Sequence, residues 1–270
     1  MRTLWIITLM TFMLACNRGV EKEYRNAEGQ WVHEEYYRND NLKSQTIFLD
    51  EDRNDYIYSS YYSDGRLRDS ALYINDTVTG LRKVYEAKNG LMHYETYDHG
   101  ILSGEHKAMY DNGVTSFQGY RLNGMKVGEW VFHYIDGGLI TYEYYDSLGN
   151  IKYFRKYDEN GNLLRESGSP IIDLQLADDT IIAGDEFRII AELASVPDCS
   201  LTLRTGLVEG TSLAQDTLLR VEEPVNRYTY RPAATGEHQL GFIVEVAGDA
   251  GREPKSYSAV RPVYIENPGQ

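Results

Sequence analysis

From Gly29 onward, short runs in which tyrosine and aliphatic residues alternate with polar ones are cut at regular intervals by Asp-Gly and Asn-Gly pairs. Alternation sends successive side chains to opposite faces of a pleated strand. An Asn-Gly or Asp-Gly pair supplies the positive φ that a tight hairpin turn demands. The pattern predicts strands of about five to eight residues joined as hairpins. One turn series runs Asp64-Gly65, Asn89-Gly90, Asn112-Gly113, Asp136-Gly137 and Asn160-Gly161, at spacings of 25, 23, 24 and 24. Counting back 24 from Gly65 reaches Asn41, which is expected to take the left-handed position in a divergent first copy. A second series, Gly80, Gly100, Gly124 and Gly149, interleaves with the first. Two turns per period mean two strands per period. A period near 24 residues marks a stacked array, in which each hairpin's apolar face stays wet until a neighbour covers it.

The best-preserved stretch is Asn123–Trp130, N-G-M-K-V-G-E-W, with a near copy in His99–His106, H-G-I-L-S-G-E-H. Gly29–Leu42 and Gly128–Leu139 are also alike, which gives about five or six copies. Tyrosine stands just before many turns, at Tyr62, Tyr110, Tyr134 and Tyr157 in the first series and at Tyr97, Tyr120 and Tyr145 in the second. Recurrence at fixed positions implies aromatic ladders across strands. These residues resemble the bacterial MORN-type (YwqK-like) repeat, carried best by Gly124, Gly128, Trp130, Tyr134, Gly137 and Leu139, and next by Gly100, Gly104, Tyr110, Asn112 and Gly113. The stretches Gly80–Leu91 and Gly149–Leu163 depart from it in lacking the second glycine. The resemblance covers residues 29–166 and implies an extended antiparallel scaffold.

After Glu166-Ser-Gly-Ser-Pro170 tyrosine becomes scarce, and Val, Ile, Leu and Thr take over, as in strands buried between two sheets. Seven strands are expected, near 171–176, 186–193, 200–205, 217–221, 227–231, 236–246 and 256–265, with Phe187, Ile189, Ala191 and Leu193 alternating inward. Seven short strands in about a hundred residues argue an immunoglobulin-like β-sandwich. The fold class is therefore all-β, an elongated antiparallel meander of repeated hairpins followed by that sandwich.

Met1–Cys16 carries one positive charge and an apolar run too short to span a bilayer, with the proportions of a secretory segment. Its end, Met13-Leu14-Ala15-Cys16, resembles a bacterial lipoprotein signal, which implies cleavage before Cys16 and lipidation of that residue. Asn17 stands where the aspartate of inner-membrane retention would be, so the resemblance favours the outer membrane. The expected organisation is a signal peptide over 1–15, a tether over 16–28, hairpin repeats over 29–167 and the sandwich over 168–270. With lipid on Cys16, Cys199 is the sole remaining thiol, and the core holds without a disulfide.

A formal charge of -14 without a Lys/Arg cluster argues against nucleic acid as a partner. Six scattered histidines show no metal-ligand spacing, and no nucleophile elbow, phosphate loop or dinucleotide fingerprint appears, so no metal, cofactor or catalytic residue is assigned. Of 23 tyrosines, 19 lie between Tyr24 and Tyr157. An exposed aromatic face offers area and hydroxyl handles for a protein or glycan. Trp130, Tyr134, Tyr110, Tyr120 and Tyr145 are the candidate binding surface. The expectation is a non-catalytic, lipid-anchored envelope protein that binds or scaffolds through its repeat sheet. A carbohydrate-active or other envelope enzyme, and a ligand-capture component beside an outer-membrane transporter, are the alternatives.

Overall fold

A computed structural model of the chain describes residues 20–86, 91–176, 181–221, 225–248 and 254–268. The expected signal segment, Cys16 and the expected Asn89-Gly90 turn lie outside the described residues. Among the described residues every regular element is a strand. Thirteen of them follow in chain order: β1 (Glu21–Arg25), β2 (Trp31–Tyr36), β3 (Leu42–Phe48), β4 (Tyr56–Tyr61), β5 (Leu67–Ile74), β6 (Thr77–Glu86), β7 (Leu91–Asp98), β8 (Ile101–Met109), β9 (Thr115–Leu122), β10 (Met125–His133), β11 (Leu139–Tyr145), β12 (Ile151–Tyr157) and β13 (Leu163–Gly168). They make one antiparallel meander in which each strand neighbours the next. The edge strand β1 is exposed throughout and reads E-K-E-Y-R, a charged edge that discourages further strand addition.

Two kinds of turn alternate among the described connections in the middle of the meander, from β4 to β11. Five-residue turns such as Tyr62–Arg66, Tyr110–Val114 and Tyr134–Gly138 close with the first amide on the fifth carbonyl and the fourth amide on the first carbonyl. The fourth residue sits at positive φ, as in Gly65 (88°), Gly113 (83°) and Gly137 (93°), which suits a type I turn with a glycine bulge. In the first copy that place belongs to Asp40 (φ 64°), not to Asn41 as counting back suggests, because the turn Tyr37–Asn41 closes through the Asp40 amide. The opposite connections in the middle copies are two-residue turns with both φ positive: Asn75-Asp76, His99-Gly100 and Asn123-Gly124. Gly80 is therefore not a turn glycine. It lies inside β6 at φ 72° and aligns with Gly104 and Gly128 at intervals of 24, so the copy starting at Asp76 keeps its second glycine. The β9–β10 register shifts between Val127 and Val131, around Gly128, where a backbone bulge uses the freedom that glycine provides.

Successive turns are tied to one another. Tyr37 donates its hydroxyl to the Tyr61 carbonyl at 2.8 Å, Tyr110 to His133 at 3.0 Å and Tyr134 to Tyr157 at 3.3 Å. Each donor lies 23 or 24 residues before its acceptor, so the bond joins one copy to the next. Asn112 repeats the device on the Ile135 carbonyl. Tyr157 itself points elsewhere, and Asp158 occupies the first position of its turn.

The remaining strands are β14 (Ile171–Leu176), β15 (Ile181–Ile182), β16 (Phe187–Leu193), β17 (Ser200–Glu209), β18 (Ser212–Arg220), β19 (Val225–Tyr230), β20 (Gly236–Ala247) and β21 (Lys255–Glu266). They form two sheets, β14-β16-β19 and β15-β21-β20-β17-β18, with β15 parallel to β21 and the other pairs antiparallel. Phe187, Ile189, Ala191 and Leu193 alternate into the core against Leu203, Leu240, Phe242 and Val244. The seven strands expected from the sequence are present, with the two-residue β15 added. The result is an immunoglobulin-like sandwich.

The chain divides into two compact units after Thr77. The later unit contains most of the repeats and the sandwich, and these share a second apolar cluster, Tyr142, Tyr144 and Tyr153 of the meander with Ala194 and Val196 of the sandwich.

Candidate functional site

Strand registers sort the side chains of β8 to β12 onto two faces. On one, Lys126, Trp130 and Phe132 of β10 lie beside Phe117, Gly119 and Arg121 of β9. On the other, Val127 and Val131 lie opposite Tyr120 and Gln118, and Glu129 opposite Tyr144.

The first face is a packed aromatic row. Trp130 is 1% exposed, stacks with Phe117 and Phe132, and donates its indole N–H to the Tyr120 carbonyl at 3.1 Å. The ring lies over Gly119, where an added Cβ would fall 2.2 Å from the indole. Lys126 Nζ sits 4.5 Å from the Trp130 ring centroid and 4.7 Å from that of Phe132, and it pairs with Glu143 at 3.1 Å. Tyr145 donates to the same Glu143 carboxylate at 2.7 Å. Arg121 Nε donates to His106 Nδ1 at 3.0 Å. Burial and then the Arg121 charge push the His106 pKa down, which keeps the ring a neutral acceptor.

The second face is covered over β10–β12 by the sandwich. Arg155 is 1% exposed and pairs with Glu166 at 3.0 Å, while its guanidinium also reaches the Tyr157 hydroxyl and Cys199 Sγ. Glu166 further accepts from Tyr153 of β12 and from Lys255 and Tyr257 of β21. Burial alone would raise the Glu166 pKa, but hydrogen bonds from Lys255, Tyr153 and Tyr257 and the Arg155 charge hold it down at about 2. Tyr144 donates to Glu192 of the sandwich. Glu129 Oε1 accepts both the Tyr142 hydroxyl, at 2.7 Å, and the Ser195 amide, at 2.8 Å. The meander thus binds the sandwich by burying tyrosine rings and aiming their hydroxyls at carboxylates.

Beyond the sandwich the same face is open. Tyr120 is 53% exposed and, with Glu105, Gln118, Gly119, Glu129 and Val131, lines a groove of about 320 Å³. A second groove, of about 490 Å³, lies between meander and sandwich and is lined by Tyr144, Tyr145, Lys152, Asp173 and Glu192 among others.

The five candidate aromatics therefore fall in different places. Trp130 is interior, Tyr110 and Tyr134 are half-buried turn ties, and Tyr145 is held by Glu143, although its edge lines the second groove. Tyr120 alone of the five is exposed. Cys16 lies outside the described residues. The turn carboxylates Asp64, Asp136, Asp146 and Asp158 accept amides of their own turns. Among the described residues no group of three or more His, Cys, Asp or Glu is arranged to hold a metal. Sequence reasoning did not find Arg155, Glu166 and Tyr257, whose partners lie 11 and 91 residues apart in the chain. A scan against protein-family models finds no match, and neither does a search of the curated proteins.

Proposed function

We propose that this chain is a non-catalytic binding or scaffold module, held at a bacterial envelope surface by lipid on Cys16, whose working surface is the repeat sheet. The observation that carries the proposal is the meander's use of its own face. Over β10–β12 that face holds a folded β-sandwich through buried tyrosines and the hydroxyl–carboxylate pairs of Tyr144 and Tyr257. Over β6–β9 none of the described residues of the sandwich covers the same face, and Leu81, Tyr120 and Gln118 are exposed. A surface that recognises one protein in cis has the chemistry to recognise another partner beside it. The turn grammar, with Gly100/Gly104 and Gly124/Gly128 in successive copies, supports the finer reading of these hairpins as bacterial MORN-type repeats.

Affinity isolation of the full chain from solubilised envelopes tests the reading. A stoichiometric companion is expected, retained by wild type and weakened by charge reversal at Lys83 and Lys107 on the open face. Recovery of the chain alone, or a companion indifferent to changes anywhere on the meander, would sink it.

A further inference from the structure

The open face carries a concave place at the corner where the meander emerges from under the sandwich. Two cross-strand rows meet there: Glu105, Tyr120 and Val127, then Lys107, Gln118 and Val131. Glu129 stands at the sandwich margin, fixed by the Ser195 amide. Among the described residues the side chains of Glu105, Gln118 and Tyr120 have no hydrogen-bond partner, so an acid, an amide and a phenol are all available around one exposed ring.

What could occupy such a corner is limited by the backbone. Peptides that add to sheets do so at a free edge, by main-chain hydrogen bonds. Here β9 is paired on both sides, by β8 and β10, and offers no edge. Recognition must come from side chains alone. A ring presenting C–H bonds on one face and hydroxyls around its rim meets both requirements: it stacks on the Tyr120 ring and exchanges hydrogen bonds with Gln118 and Glu105. The groove, about 320 Å³, is at the small end of the range for ligand sites and suits one or two such rings. The lining carries two carboxylates, Glu105 and Glu129, which gives an anionic ligand no advantage.

We infer that this corner is a binding site for a neutral oligosaccharide, with Tyr120 as the stacking platform and Gln118 and Glu105 as the hydroxyl-reading groups. The inference rests on the reading of the repeat sheet as the working surface, and names the ligand class of that surface.

The test takes the full chain, in detergent, to a printed glycan array, and then titrates the best-retained glycan as a soluble tetrasaccharide by calorimetry. Retention of a neutral glycan is expected. Tyr120→Ala should weaken it about tenfold or more, and Tyr120→Phe, which keeps the ring, by no more than about threefold. Tyr264→Ala, at an exposed tyrosine on the sandwich, should leave it unchanged. Thermal melts of all three variants should match wild type, since both tyrosines are exposed. A blank array, or full binding by Tyr120→Ala, overturns the sugar site. If the array is blank while envelope isolation still yields a companion, the sugar site fails and the scaffold reading stands. If that companion is also lost in Tyr120→Ala, the groove belongs to a protein.

Discussion

Replacing Glu166 by glutamine removes a carboxylate that pairs with Arg155 at the joint between β12–β13 and β21. The Glu166 side chain is 6% exposed and that of Arg155 is 1% exposed, so solvent screens their pairing little. The Glu166 pKa falls from 4.5 in the unfolded chain to about 2 in the folded one. At about 1.4 kcal/mol per unit, that difference corresponds to about 3 kcal/mol of folding stability. The same size is expected for breaking one member of a buried pair, about 3–5 kcal/mol. A depressed folded pKa fixes the direction. The contribution is complete above the unfolded value of 4.5 and is lost as pH falls toward about 2. Urea unfolding of wild type and Glu166→Gln, followed by tyrosine fluorescence at pH 7, 5 and 3, should therefore show a gap of about 3 kcal/mol at pH 7 and 5 that narrows to about half by pH 3. A gap that is equal at pH 3 and pH 7, or that stays below about 1 kcal/mol at pH 7, would refute the claim that Glu166 holds the joint as a charge.

Gly119→Ala drives a methyl group into the Trp130 indole and should cost about 1–3 kcal/mol in thermal or urea unfolding; a neutral effect would mean that Trp130 does not rest on that strand. Tyr110→Phe and Tyr134→Phe each remove one hydroxyl tie between copies and should cost about 0.5–1.5 kcal/mol without changing any glycan or protein association, whereas loss of association would return these tyrosines to the binding surface. Cys16→Ser should release the protein from the membrane fraction, read by fractionation and by mass spectrometry of the amino-terminal peptide; continued membrane residence without acylation would remove the lipid anchor from the account.

Most of the architecture was legible because hairpin turns write themselves into local sequence. Gly65, Gly113, Gly137 and Gly161 sit at positive φ as their Asp-Gly and Asn-Gly pairs announce. The misplaced assignments have local causes too. Asn75-Asp76 makes a two-residue turn without glycine, since a short polar side chain tolerates the left-handed region. Gly80, four residues on inside β6, carries the positive φ that a turn glycine would show. Asp40 took the place expected of Asn41 for the same reason. Trp130 was legible as important but not as interior, because an aromatic residue looks the same in sequence whether its ring faces water or lies over a glycine in the next strand. The joint was not legible at all. Arg155 stands in a run, F-R-K-Y, that reads as an ordinary half-exposed strand, and its burial depends on a sandwich whose Tyr257 lies about a hundred residues away.

The most direct test of the central claim, that the chain works through the open face of its repeat sheet, is hydrogen-exchange mass spectrometry of the full chain with and without whatever copurifies from the envelope. The account predicts slowed exchange in the peptides of β8 and β9, over residues 101–122, with the carboxyl-terminal sandwich unchanged. Protection confined to the sandwich, with residues 101–122 exchanging as in the isolated chain, would contradict it.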